Sequence, residues 1–202
     1  MRAITFDIMV RDKKRTISFK NMVRVLKASG DSVVSEGQNN LSIQDKVVTG
    51  NLQSSLYYEI SRTDIGVRLS FKGGVPYWDF VEQGVKGAVS DAKAPDSEYK
   101  FGTGSGERGS LKPAIRQWIS DKGLRNTSWR SDKGRFLSYD QMASVISRSV
   151  YLTGLRPSNY FTMALDNGIS KIKRNLKRAI TKDVEVFFTK EYGKTYKMII
   201  EF

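Results

Sequence analysis

Apolar residues along this chain change their spacing several times, and each change marks an element. Residues 3–10 (AITFDIMV) suit a short strand, and the charged cluster from Arg11 to Arg15 reads as a turn. The spacing then lengthens. Phe19, Met22, Val23, Leu26, Val33, Val34 and Leu41 recur at steps near three, four and seven, which predicts one apolar stripe on a long helix that Ser18 is placed to cap. Gly30 and Gly37 fall on or beside the stripe. Each costs about 1 kcal/mol relative to alanine inside a helix, so either the helix breaks there or another backbone packs closely.

After Val47 and Val48 the chain turns through residues 49–56. Candidate strands at 57–61 and 67–71, linked through Asp64 and Gly66, predict a hairpin that Gly73-Gly74 ends. Residues 76–84 read as an aromatic helical turn with Gly84 as a left-handed cap. Residues 85–111 are rich in Gly, Ser, Asp and Lys and read as an extended surface excursion. A helix follows from near Pro113, with Ile115, Trp118 and Ile119 on its apolar side, and stops at Gly123. Met142, Val145, Ile146 and Val150 mark another helix ending at Gly154. Beyond Pro157, a longer stripe of Tyr160, Phe161, Ala164, Leu165, Ile169, Ile172, Leu176 and Ile180 runs through Gly168. Residues 184–189 and 195–202 then alternate, predicting a closing hairpin. The order predicts an α+β fold in which long helices pack on a small, mostly antiparallel sheet. It is read as one domain over residues 1–202, with a loop-rich helical insertion at about 88–150.

Composition narrows the chemistry. With neither cysteine nor histidine among 202 residues, the chain lacks disulfides, thiolate ligands, the commonest general base and the commonest metal ligand. The 34 Lys and Arg against 21 Asp and Glu leave a formal charge of +13, which attracts nucleic acid or another acidic surface. The densest basic run is Lys171, Lys173, Arg174, Lys177, Arg178 and Lys182, and a solvated helix face explains it as well as DNA contact does. The first ten residues carry Arg2 and Asp7 and lack a long apolar run, and no stretch approaches the ~20 apolar residues of a membrane span. A soluble protein with no export signal and no membrane partner is expected.

Three other patterns invite chemical readings. Gly104-Ser-Gly106-Glu-Arg-Gly109 matches GxGxxG, but no apolar strand runs into it and no Lys-Ser/Thr pair follows, so a flexible loop is preferred and no cofactor is expected. Asp79 and Glu82 have the spacing of a carboxylate pair for Mg²⁺, yet further carboxylates would be needed; a structural role is preferred, with no metal and no enzymatic activity expected. Trp129 lies between Arg125 and Arg130 in a polar stretch and is the tryptophan expected to be exposed or at a subunit interface; Gly102, Gly104, Gly106 and Arg108 of the glycine-rich loop are further interface candidates.

Four segments, in order, resemble the tailed-phage head-tail joining and tail-completion family, the siphophage neck proteins and the minor tail protein Z type. They are Thr49-Gly50-x-Leu52-x-x-Ser55-Leu56; residues 77–87 (YWDFVEQGVKG), with Tyr77, Phe80, Val81, Glu82, Gly84 and Gly87 at the family's positions; Leu155-Arg156-Pro157 leading to Phe161 and Ala164; and the basic helix that follows. The insertion is similar to that of longer members in residues 95–101, 115–124 and 149–155. Val85 stands where the family usually has Thr, Ser158-Asn159 lengthen the gap after Pro157, and Met163 stands where a second proline is common. The resemblance implies a structural virion protein of the neck, made in the host cytoplasm. It would form a homo-oligomeric ring of six or twelve copies and meet the portal or adaptor ring and the tail or tail-tube proteins. Lys171, Lys173, Arg174, Lys177 and Arg178 are candidates to face packaged DNA. A nucleic-acid-binding protein in free solution is the alternative.

Overall fold

The computed structural model describes residues 3–7, 19–63, 66–103, 110–124, 130 and 134–192. The fold is α+β, and the chain divides into two compact units. The first takes in residues 1–40, 56–74 and 160–202; the second takes in 41–55 and 75–159, which contains the insertion expected at about 88–150.

In the first unit, β1 (Ala3–Asp7), β2 (Leu56–Thr63) and β3 (Gly66–Gly73) form an antiparallel sheet in the order β1-β3-β2. The register runs from Leu56 opposite Gly73 to Thr63 opposite Gly66, and from Ala3 opposite Ser70 to Asp7 opposite Gly66. Two long helices belong to this unit: α1 (Lys20–Ile43), for all but its last turn, and α6 (Tyr160–Tyr192). Most residues of the stripes read from the sequence are buried, while Phe19, Val23, Val34 and Ile169 are half-buried. Met22, Leu26 and Val33 of α1 are buried, as are Leu69 and Phe71 of β3 and Phe161, Ala164, Ile172, Leu176 and Ile180 of α6.

Neither Gly30 nor Gly37 breaks α1, and no second backbone packs there. Both are seats for aromatic rings. A Cβ on Gly30 would lie 2.7 Å from three carbons of the Tyr58 ring, and one on Gly37 would lie 3.2 Å from Phe161, whose ring stands 5.5 Å from Phe71. The Tyr58 hydroxyl bonds Asp31, one residue beyond its seat; burial first, then this bond, raises its pKa above the usual tyrosine value.

A single side chain ties the start of α1 to α6. Asp183 is buried and accepts from the Asn21 amide at 3.0 Å, the Asn21 side chain at 2.8 Å and the Met22 amide at 2.8 Å. It therefore caps a helix that begins 163 positions earlier, supplying negative charge to free N–H groups at the positive end of the α1 dipole. Ser18, the expected cap, lies outside the described residues.

The expected strand at 184–189 is instead part of α6. Asp183 and Val184 are buried one turn beyond Ile180, so the VEVFF run continues the helical spacing, and extending a formed helix costs far less than starting another element. Residues 195–202 lie outside the described set.

The second unit is made of shorter pieces. They are α2 (Asn51–Ser54), α3 (Trp78–Gln83), β4 (Val85–Lys86), α4 (Leu111–Asp121), α5 (Tyr139–Thr153) and β5 (Gly154–Leu155). Ile119, Met142 and Ala143 form a core cluster, with Ile115, Leu124, Leu137 and Ile146 packed against it. Trp118, expected on the apolar side of its helix, is instead 38% exposed. It stands one helical step, about 100°, from Ile119, and Ile119 takes the core position. A capping box starts α5: the Ser138 hydroxyl accepts from the Gln141 amide, and the Gln141 side chain accepts from the Ser138 amide.

Candidate functional site

The motif segments 77–87 and 155–157 are about 70 positions apart in sequence, and the second unit joins them. α3 begins after Tyr77 and ends at Gly84, whose φ of +72 and ψ of −176 form an extended mirror conformation open to glycine, in place of the expected left-handed helical cap. The chain then enters β4, where Val85 pairs with Leu155 and Lys86 with Gly154 of β5. The last carbonyls of α3 are taken up by the segment leading out of β5: Ser158 N–H donates to Val81 at 3.0 Å and Asn159 N–H to Glu82 at 3.1 Å.

Contact here is backbone on backbone. A Cβ on Gly84 would lie 2.6 Å from the Leu155 carbonyl oxygen and 2.6 Å from the Pro157 nitrogen. One on Gly87 would overlap the Leu152 carbonyl, and one on Gly154, at φ +82, would overlap the Val85 carbonyl. Gly84, Gly87 and Gly154 thus form a knot in which two strands of two residues each approach more closely than side chains permit. The outer side of β4 is also engaged, since Lys86 N–H donates to Tyr99 and Phe101 N–H to Lys86. Residues 85–103, the described part of the stretch 85–111 read as an extended surface excursion, therefore fold back on their own unit. Ala88 N–H bonds Tyr151, and Val89 and Ser90 both bond Leu152. Their Gly and Ser content signals turns, and these backbone bonds decide where the turns go.

The polar residues of the knot serve the structure. Ser97, buried, donates to the Gly84 carbonyl at 2.7 Å and accepts from the Tyr99 amide. The Tyr99 hydroxyl donates to one Asp79 oxygen at 2.5 Å, and Gln83 donates to the other at 2.9 Å. The Tyr99 ring meets Phe80 edge-on at 4.5 Å. The hydrogen bond to Asp79, reinforced by burial, pushes the Tyr99 pKa up to about 12. Both Asp79 oxygens are therefore engaged, and Glu82 is only 8% exposed, so the pair does not present an open carboxylate face. Among the described residues no group of three or more Asp or Glu is placed to hold a metal ion.

Around the knot Tyr77 and Phe80 are each 42% exposed, and Leu155 is 40% exposed. Thr49 is exposed, Gly50 has a φ of +78 and precedes α2, and Leu52 is buried in the second unit; Phe161 and Ala164 are buried in the first. Of the candidate interface residues, Gly102 lies against Tyr151 of its own chain, 3.2 Å from the hydroxyl by its added Cβ. Trp129, Gly104, Gly106 and Arg108 lie outside the described residues.

The basic run falls on α6. Ile172, Leu176 and Ile180 are buried, whereas Lys171, Lys173, Arg174, Arg178 and Lys182 are exposed and Lys177 is half-buried. No known family model, curated protein or solved structure matches this chain. No described helix is long and apolar enough to cross a membrane.

Proposed function

We propose that the chain is a structural subunit of a tailed-phage neck, a ring-forming head-tail connector or tail-completion protein that joins the portal or adaptor ring to the tail. The observation that carries this reading is the glycine knot. The segments whose order resembles the neck family, 77–87 and 155–157, are one interlocked backbone element, with Gly84 seated on Leu155 and Pro157. Gly84 and Gly87 thus share an architectural reason for their type, and the Ser97 hydroxyl holds the Gly84 carbonyl between them. Tyr77, Phe80 and Leu155 at its surface supply aromatic and apolar contact area of the kind that anchors protein interfaces.

The test is genetic and visual. A phage with an early stop codon in this reading frame should yield DNA-filled heads and separate tails in electron micrographs, and the purified protein added to that lysate should restore joined particles. Joined, infectious particles made without the protein overturn the reading.

A further inference from the structure

We propose that the solvent face of α6 is a binding site for the phosphate backbone of duplex DNA, with Lys171, Arg174, Arg178 and Lys182 as its contacts. The proposal goes beyond the neck reading and does not rest on it. Steps of three, four and four residues place the four side chains on one side of the helix, opposite the buried line of Ile172, Leu176 and Ile180. From Asn167 to Lys182 the helix carries six cations and no acid. The next carboxylate, Asp183, is turned inward and held by the N-terminus of α1, so it is withdrawn from the exposed face. None of the six cations belongs to an ion pair among the described residues. Lys20, Arg24 and Lys27 are exposed on the part of α1 that Asp183 ties to this end of α6, and they add to the positive field.

Charge and spacing select the occupant. The stripe from Lys171 to Lys182 is about 16 Å long at 1.5 Å per residue. At an axial phosphate spacing of about 3.4 Å, it spans roughly five phosphates of one DNA strand. No aromatic side chain interrupts the stripe to stack on an unpaired base, so a duplex backbone fits better than a single strand. An anionic membrane fits poorly, because a surface-seeking basic helix must offer its apolar face to lipid and that of α6 is buried in the protein core. With contacts to phosphates alone, binding is independent of base sequence.

Fluorescence anisotropy of a labelled random-sequence duplex, titrated with the full chain at several salt concentrations, tests the site. Replacing Lys171, Arg174, Arg178 and Lys182 together by glutamine should lower the slope of log affinity against log salt by about 3 to 4, close to 0.9 per lost phosphate contact. The pair Arg174→Gln with Arg178→Gln should give about half that change, which keeps the test valid if the fourfold variant folds poorly. A charge-matched control, Lys112, Arg116, Arg148 and Arg156 each to glutamine on the second unit, should leave the slope unchanged. An unchanged slope in both α6 variants overturns the proposal, as does an equal fall in the control. Phosphatidylserine vesicles are the third arm: stripe-dependent vesicle binding without duplex binding also overturns it.

Discussion

The two compact units hold themselves together by different means. In the first, two helices of 24 and 33 residues bury continuous apolar stripes, and the closest approaches are aromatic rings laid on helix glycines. In the second, the strands are two residues long, the helix between the hairpin and β4 has six residues, and the closest approaches are between backbones. The first therefore draws its stability from buried area, which is spread over many residues and tolerates single losses. The second depends on a few positions where only glycine fits, and a single added carbon there meets a carbonyl that cannot rotate away.

The sharpest way to break the comparison is at the knot. Gly84→Val forces a branched side chain into positive φ and against Leu155 and Pro157, and should cost about 3–5 kcal/mol. Hydrogen exchange should show the loss of protection in residues 75–103 and 139–159 and retained protection in α1 and α6. Uniform loss throughout would mean that the units are not separable in stability.

Next in size is the long-range cap. Asp183→Ala leaves the Asn21 and Met22 amides without their acceptor and should destabilise the protein by about 2–3 kcal/mol in a chemical melt. Asp183→Asn keeps an acceptor and should recover part of that loss. Equal melts for the alanine variant and the parent would show that the tie is dispensable.

Two glycines of the first unit then separate ring seating from helix propensity. Gly30→Ala gains helix propensity but overlaps the Tyr58 ring, and a net loss of about 1–2 kcal/mol is expected, largely relieved by adding Tyr58→Leu. Gly168→Ala meets only Ile172 at 3.6 Å and should stabilise by roughly 0.5–1 kcal/mol. If both substitutions have the same sign, the seat is not what keeps glycine at position 30.

The smallest effect is expected at Tyr99. Its folded pKa of about 12 lies above the unfolded value near 10, so the neutral phenol is favoured by folding. Its contribution, on the order of 1 kcal/mol after allowance for partial exposure, is fully present below pH 10 and is lost as pH rises from 10 to 12. The stability difference between the parent and Tyr99→Phe should therefore shrink across that window, and the late-ionising part of the absorbance change near 295 nm should diminish in the variant. A constant difference across pH 10–12 would remove Asp79 as its partner.

By itself the sequence determined the elements that rest on periodicity: the hairpin β2–β3, the buried stripes of α1 and α6, the helices around Ile119 and Met142, and hence the α+β class. These are local, because residues three or four apart share a face wherever the helix lies. The capping box is legible by the same local logic, as a serine followed three residues later by glutamine just ahead of an apolar stripe. The tertiary structure alone decided what the polar and glycine positions do. Nothing near Asp183 in sequence marks it as the cap of α1, since its partners are 161 and 162 residues away. Period-two alternation at 184–189 suggested a strand until α6 supplied a helix to extend. Gly30 read as a helix break or a close backbone contact and Gly84 as a helix cap, yet one seats a ring and the other a backbone, because what fills the space beside a missing Cβ is set by whichever segment the fold brings there.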